Sequence, residues 1–422
     1  MRYEMKLKKK ALIIFILLLI CSSLFLFLKK NSQKEIKVEF DKNLYISAGY
    51  GIFLLDETEK VINSGEIAKQ FNKGEYETAS KLLQPLLNQS RVNEIPAQKL
   101  EIINALAIIK TFEGKLDEAQ QLYDEAQEIL NSNVELSNKC IAAKVYNNLS
   151  LFYNVNFERK KAQECLTKAL ENPMLIQDPL VEMVVKFNLM EVESGIDHPM
   201  GAPRYDYLDK AKKMLNSEKK LLGSNQVIGA QVYIFLGDSY ISTYNNKKAK
   251  ECYDKAGQII ERGGEWYTII WFRMQISLGA LYINEKDYTG ALYECEKALD
   301  LAEPLLGEEN LIVANLYRNI GAAYIHMDED RQGLEYSFKA LKGYKNNASR
   351  CGLWGNIATA YTSLEEYDLA KEYAFKSYKV SLDSEYESEE KYELLLKYIY
   401  NGINPSEDFE VWIEEGLEKT EN

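Results

Sequence analysis

The chain has 422 residues, enough for two or three globular domains or for one elongated array of repeats. Hydrophobic residues make up 46% of it and only 8 residues are proline, which argues against disorder and favours long helices over short strands. The net charge is -13, and so acidic a chain lacks the positive surface that nucleic-acid binding requires.

The first 28 residues combine a basic tail, residues 1–10, with a long apolar run. Residues 11–28 (ALIIFILLLICSSLFLFL) carry no charge and stand between two groups of lysines. Eighteen residues of helix span about 27 Å, near the thickness of the hydrocarbon core of a membrane. The alternative is a cleaved signal peptide, but an apolar stretch directly follows the candidate cleavage site Cys21-Ser22-Ser23. The sequence therefore predicts an uncleaved transmembrane anchor at 11–28.

The numbers of basic residues on the two sides of this anchor hardly distinguish its two orientations. Five basic residues precede the apolar run and five follow it up to Lys42, so the positive-inside rule separates the two orientations only weakly. A short cationic tail usually stays in the cytoplasm, whereas the five cysteines outside the anchor favour the opposite placement. We expect a single-pass protein of the cell membrane whose body lies outside the cytoplasm. Residues 29–58 are predicted to be a tether or an irregular first element.

One pattern recurs along residues 59–380. A small residue is followed by an aromatic residue three positions later, by alanine or glycine after twelve, and by another small residue seven beyond that. The clearest copies begin at Ser150, Gly237, Gly279, Gly321 and Ala358, and weaker ones surround Ala68 and Ala107. Offsets of three, four and seven lie on one helix face, so the small residues predict antiparallel helix pairs in close contact. Because no single pair buries its apolar side, we expect the pairs to stack.

The clearest copies share a longer motif. It reads Tyr146-x-x-Leu149-Ser150-x-x-Tyr153, Tyr233-x-x-Leu236-Gly237-x-x-Tyr240 and Tyr317-x-x-Ile320-Gly321-x-x-Tyr324. This motif resembles the tetratricopeptide repeat (TPR) family, and the 42-residue step from Gly237 to Gly279 and from Gly279 to Gly321 resembles its kinesin-light-chain subtype. The resemblance implies an all-α fold, a TPR-like right-handed superhelical solenoid. Counting residues 180–223 as a degenerate repeat with an inserted loop, we expect about eight helix pairs.

The last segment, residues 381–422, is predicted to form capping helices. Ser388-Glu389-Glu390 is a helix-start signal, and Pro405-Ser406 begins a second helix that carries Phe409 and Trp412. We expect this polar-faced segment to shield the last repeat.

The sequence contains no recognisable catalytic or metal-binding constellation. Its two histidines, His198 and His326, fall in different repeats, whereas zinc and di-iron sites need several ligands at regular spacing. Acidic residues beside His326 would allow a cation site, but a solvated loop is the better explanation of them. Cysteines 165, 252 and 295 share helix faces with apolar residues and are predicted core residues. We predict no enzymatic activity, no metal and no cofactor.

The candidate binding site lies on the first helices of the pairs, which line the inner wall of a TPR superhelix. The predicted partner-binding residues are Lys144, Asn148, Arg273, Arg318, Asn319 and Asn356. The three asparagines stand two residues before the small residue of their repeat, and the family resemblance implies that they contact peptide backbone. The three cations would receive a carboxylate. The alternative is that the asparagines bond within their helix pair and that the cations are ordinary surface residues.

We therefore predict a membrane-anchored TPR scaffold that binds a peptide or protein partner through its concave groove and does not bind nucleic acid. Two other functions fit the sequence. One is a peptide-sensing regulator, similar to Gram-positive TPR pheromone sensors, whose superhelix curvature changes on ligand binding. The other is a structural subunit of an envelope complex that uses the convex face.

Overall fold

The computed structural model describes residues 44–47, 50–53, 64–93, 96–156, 158–197, 204–217, 226–263, 268–344, 347–383 and 389–420. All of them lie in the unit Asp41–Asn422. The predicted basic tail, the anchor at 11–28 and the loop that contains His198 lie outside the described residues. No helix within the described ranges is long and apolar enough to cross a membrane.

The described residues form nine helix pairs, each with a first and a second helix. The pairs are α1 (Ser64–Lys73) and α2 (Tyr76–Asn93), α3 (Pro96–Phe112) and α4 (Leu116–Ser132), α5 (Cys140–Val155) and α6 (Arg159–Leu170), α7 (Pro179–Asp197) and α8 (Tyr205–Ser217), α9 (Gln226–Ser242) and α10 (Asn246–Gly263), α11 (Thr268–Asn284) and α12 (Tyr288–Leu306), α13 (Leu311–His326) and α14 (Asp330–Gly343), α15 (Asn347–Ser363) and α16 (Tyr367–Asp383), and α17 (Glu389–Ile403) and α18 (Phe409–Lys419). From α1 to α17 each helix packs on the next, and from α3 to α17 successive first helices also contact one another. We call this row of first helices the inner layer. The predicted helical solenoid of the TPR type is thereby confirmed.

Seams of small residues hold the two helices of a pair together. A Cβ on Gly237 would overlap the Tyr253 ring of the facing helix, and one on Gly321 would lie 2.9 Å from Ser337 Oγ and 3.0 Å from the Gly333 carbonyl oxygen. The alanines predicted for the second helices are all fully buried: Ala119, Ala126, Ala162, Ala169, Ala249, Ala256, Ala291, Ala298, Ala340 and Ala370. The pattern of small residues therefore predicted the close helix contacts correctly.

The turn inside each pair also repeats. Seven residues after the small residue the backbone becomes left-handed, with φ of 61° at both Lys286 and Asp328. The next amide then donates to the carbonyl of the repeat's aromatic residue, as Glu329 does to Tyr324 at 2.9 Å. This hydrogen bond is the six-to-one bond of a Schellman cap, which satisfies a helix-terminal carbonyl. A single turn geometry thus sets the angle between the two helices in most pairs.

A β-hairpin departs from the all-α prediction, and it lies within the predicted tether. Strand β1 (Leu44–Ser47) pairs antiparallel with β2 (Tyr50–Phe53), with Leu44 opposite Phe53. Tyrosine, isoleucine and phenylalanine favour extended backbone, and the two residues between the strands match the length of a tight hairpin loop. The hairpin lies on the inner layer, with β2 against α5 and α7 and β1 against α9 and α11.

The first helix pair contacts the sixth. Helix α1 packs against α11, and Gly74, directly after α1, lies against Leu305 and Leu306 at the end of α12. Gly74 has a φ of +83°, and a Cβ at this position would collide with Leu306. A glycine here therefore satisfies both the left-handed turn and the close approach.

Helices α17 and α18 cover the end of the array. Trp412 of α18 is buried, and its ring lies 5.0 Å from that of Phe375 on α16. Gly416, one turn further along α18, leaves no room for a Cβ beside the same phenylalanine ring. The two helices predicted after residue 381 are present and pack on the last repeat.

Candidate functional site on the inner layer

A chain of asparagine amides links three neighbouring first helices. Nδ2 of Asn188 on α7 donates to Oδ1 of Asn147 on α5 at 2.7 Å. Nδ2 of Asn147 donates to Oδ1 of Asn148 at 3.4 Å, and Nδ2 of Asn148 donates to Oδ1 of Asn104 on α3 at 3.1 Å. All four side chains are at most 1% exposed. Buried amides require such partners, so the chain fixes the register of α3, α5 and α7.

The three predicted asparagines differ in their hydrogen bonds and in their burial along the inner layer. Asn148 belongs to the buried chain, and Asn319 on α13 donates to the Ile276 carbonyl on α11 at 2.8 Å. Asn356 on α15 is half-buried. Two of the three predicted asparagines thus bridge first helices of neighbouring pairs, whereas the structural alternative expected bonds within one pair. Their role in partner binding stays a prediction.

The three predicted cations also differ in their surroundings. Lys144 on α5 is only 5% exposed, and Arg318 on α13 is half-buried near Tyr344. Arg273 on α11 pairs with Asp238 on α9, with Nη2 3.0 Å from Oδ2. The three cations therefore differ in burial and in their partners, and their role in binding stays a prediction.

A charged cluster surrounds Arg273. The Tyr253 hydroxyl donates to Oδ1 of Asp238 at 2.7 Å, and Arg273 donates to the other oxygen of the same carboxylate, Oδ2. Burial opposes the charge of Arg273, but Asp238 and Glu191 outweigh it and raise the pKa of the guanidinium. Burial also raises the pKa of Glu191 to about 7, against the pull of Arg273. No atom of the described residues forms a hydrogen bond with Glu191 Oε1, which is buried.

A cavity of about 790 Å³ adjoins this cluster. The turns after α1 and α3, the end of α5 and the turn between α12 and α13 enclose it, and Arg273, Asn315 and Tyr344 contribute to its wall. Its acidic lining residues are Glu75, Glu77, Glu113, Glu308 and Glu309, and its basic ones are Lys115 and Arg273. The surplus of carboxylates suits a polar or cationic group better than an anionic one.

Sequence reasoning missed several members of the inner layer. Asn104 and Asn147 stand three residues before the small residue of their repeats, so a search at that offset would have found them. Glu191 and Asn188 lie in the degenerate repeat, where no small residue marks the register. Asp238, the partner of Arg273, directly follows Gly237, and the predicted binding residues were only asparagines and cations.

The buried cysteines and the remaining histidine show no sign of chemistry. Burial raises the pKa of Cys165 and Cys295 to about 12 and that of Cys252 to about 11, as expected for core thiols. The ring of His326 stacks on that of Tyr288 with centroids 5.3 Å apart. Within the described ranges no group of histidines, cysteines and acids could hold a metal ion.

Paired antiparallel helices with glycine and alanine seams, repeated Schellman turns and an inner layer of first helices define a repeat fold of the TPR type. One tetratricopeptide repeat model matches residues 272–346, and a second one matches residues 230–259 and 352–382. The chain therefore contains tetratricopeptide repeats, with the matched segments running from α9 to α16. No curated protein matches the sequence.

Three solved structures are similar to this chain over more than 80% of its length. A signal transduction ATPase with numerous domains from Pyrococcus horikoshii, which has a tetratricopeptide repeat sensor, is 17% identical with a TM-score of 0.47, over 81% of this chain and 45% of that one. Yeast Tom70 is 12% identical with a TM-score of 0.42 over 84% of each chain. The apo form of RapI is 14% identical with a TM-score of 0.35, over 84% of this chain and 83% of that one. The chain thus spans less than half the length of the first of these.

The asparagine chain predicts a clear stability effect. Replacing Asn188 by alanine (Asn188→Ala) should lower the free energy of unfolding by about 1–2 kcal/mol, because the buried Asn147 carbonyl loses its 2.7 Å donor. Urea denaturation followed by circular dichroism measures the change. Asn216→Ala on the exposed side of α8 is the control and should change stability by less than about 0.5 kcal/mol. Equal stabilities of the two variants would contradict the structural role of the chain.

Proposed function

We propose that the protein is a membrane-anchored scaffold whose inner layer binds an extended segment of a partner protein. One observation carries the proposal: the inner layer already accepts extended backbone. The two strands of the hairpin lie along α5, α7, α9 and α11, so four consecutive first helices form a surface on which an extended chain fits. Repeat arrays use such continuous surfaces for binding.

The part of the inner layer on α13 and α15 offers polar groups to a partner. Arg318 and Asn356 are half-buried there, in contrast to the fully buried Asn148. A guanidinium and an amide can together recognise a carboxylate and the peptide backbone beside it. This end of the layer is where the proposal places the first contacts of the partner.

The finer parts of the proposal come from the sequence. Residues 11–28 would hold the array at the cell membrane, with the body outside the cytoplasm, and the 42-residue step supports a kinesin-light-chain-like subtype of repeat. We propose no catalytic role for the chain.

Photo-crosslinking from defined positions tests the binding face. A photoreactive phenylalanine derivative in place of Asn356 should crosslink a partner protein in intact cells. The same group in place of Tyr293, which is 64% exposed on the second helix α12, is the matched control and should not. Crosslinks from Tyr293 alone would overturn the inner-layer proposal and favour the structural subunit that uses its other face.

Cell fractionation tests the anchor separately. The full chain should remain in the membrane pellet after carbonate washing, whereas a chain without residues 11–28 should become extractable. Protease added to intact cells should digest the repeats if the body lies outside the cytoplasm. Retention of the shortened chain in the pellet would exclude residues 11–28 as the anchor.

A further inference from the structure

The hairpin covers the same surface that the proposed function gives to a partner. Strand β2 lies against α5 and α7, and β1 lies against α9 and α11, so the hairpin occupies four consecutive helices of the inner layer. It precedes the first repeat in sequence, yet it contacts the third to the sixth pair. The hairpin therefore packs on helices that are distant from it in sequence, as a separate bound peptide would.

One of the helices that the hairpin contacts carries a buried amide that makes no hydrogen bond to the described residues. Gln231 lies on α9, one of the helices that β1 contacts, in the same repeat register as Lys144 and Arg273. Its side chain is fully buried, and no atom of the described residues forms a hydrogen bond with either end of its amide. Burying an amide without a partner is unfavourable, because the amide loses its hydrogen bonds to water. Another occupant that offers Gln231 a donor and an acceptor would bind this surface better.

We propose that residues 44–53 are an intramolecular occupant of the inner layer, which a partner must displace before it binds. This inference rests on the proposed function. The tethered hairpin competes at a high effective concentration, so the fraction of chains with a free inner layer is small. The apparent affinity for a partner falls by that fraction, and any event that pulls the hairpin away restores it.

Thiol labelling tests whether the hairpin covers the inner layer, and it requires no partner protein. The full chain, with Cys21 and Cys140 replaced by serine, carries Gln231→Cys, and a second version has residues 44–53 replaced by ten glycine and serine residues. The thiol at position 231 should react with a maleimide reagent at least tenfold faster in the version without the hairpin. A thiol from Leu301→Cys, at a side chain 58% exposed on α12, should react equally fast in both. Equal rates at position 231 would overturn the proposal.

The native cysteines report whether the replacement unfolds the array. Cys165, Cys252 and Cys295 are buried and should stay unreactive in both versions. If they react after the replacement, hydrogen exchange on the unaltered chain decides instead: amides of β1 and β2 that exchange at the rate of an unstructured peptide would overturn the proposal. Labelling at position 231 that is equally slow in both versions, combined with crosslinks at Asn356, would support the scaffold and reject the competing hairpin. Faster labelling at position 231 in the version without the hairpin, combined with no crosslinks at Asn356, would support the hairpin and reject the scaffold.

Discussion

Replacing Gly321 by alanine should lower the free energy of unfolding by about 1–2 kcal/mol, whereas the same replacement at Gly257 should raise it by about 1 kcal/mol. Both glycines lie inside helices, so each variant gains about 1 kcal/mol of helix propensity. At Gly321 the new Cβ would lie 3.0 Å from the Gly333 carbonyl oxygen and 3.2 Å from the Ser337 amide nitrogen. Backbone cannot move aside as a flexible side chain can, so the overpacking outweighs the gain.

Gly257 provides the matched control because its surroundings are open. A Cβ there would meet only the Met274 side chain, at 3.8 Å, which is ordinary van der Waals contact. Urea denaturation of the two variants, followed by circular dichroism, gives free energies of opposite sign relative to the parent chain. If both variants were stabilised, the seam between α13 and α14 would be looser than the structure shows.

The sequence predicts the seams well because their cause is local and repeated. Small residues at offsets of twelve and seven have one structural explanation, close packing of paired helices, and most copies contain them. Even the degenerate repeat behaves as predicted, with α7 ending at Asp197 and α8 beginning at Tyr205. The start signal at Ser388 correctly preceded α17, which begins at Glu389, but the start predicted at Pro405-Ser406 was wrong, because α18 begins at Phe409 after Asp408.

The site was less predictable because it depends on contacts between repeats. The amide of Asn148 meets Asn104 from the previous pair, and no spacing within one repeat reveals whether such an amide faces a neighbour or a ligand. The hairpin did leave a signal, since two runs rich in tyrosine and isoleucine flank Ala48-Gly49. That signal predicts a hairpin but not where the hairpin packs. Its position depends on contacts with helices that are distant in sequence, and on the contact between the first helix pair and the sixth.

Glu191 should make the protein less stable as the pH rises from about 5 to about 7. Burial raises the pKa of this carboxyl from 4.5 to about 7 in the folded protein, so the folded state holds a proton that the unfolded state has released. Stability therefore falls as the pH rises through this window and levels off once the folded state also loses the proton. The shift corresponds to at most about 4 kcal/mol, because one pKa unit is worth about 1.4 kcal/mol.

The Glu191→Gln variant isolates this effect from every other titrating group. Its free energy of unfolding, measured at several pH values by urea denaturation, should exceed that of the parent chain by a margin that grows between pH 5 and pH 7. Glu193→Gln, two residues along the same helix, removes a more accessible carboxylate that pairs with Lys210 at 3.3 Å, and its difference from the parent should stay within about 1 kcal/mol. A margin for Glu191→Gln that does not change with pH would show that Arg273 keeps this carboxylate charged in the folded protein. The charged cluster would then be a permanent ion network joining α7, α9 and α11 instead of one that gains a proton near neutral pH.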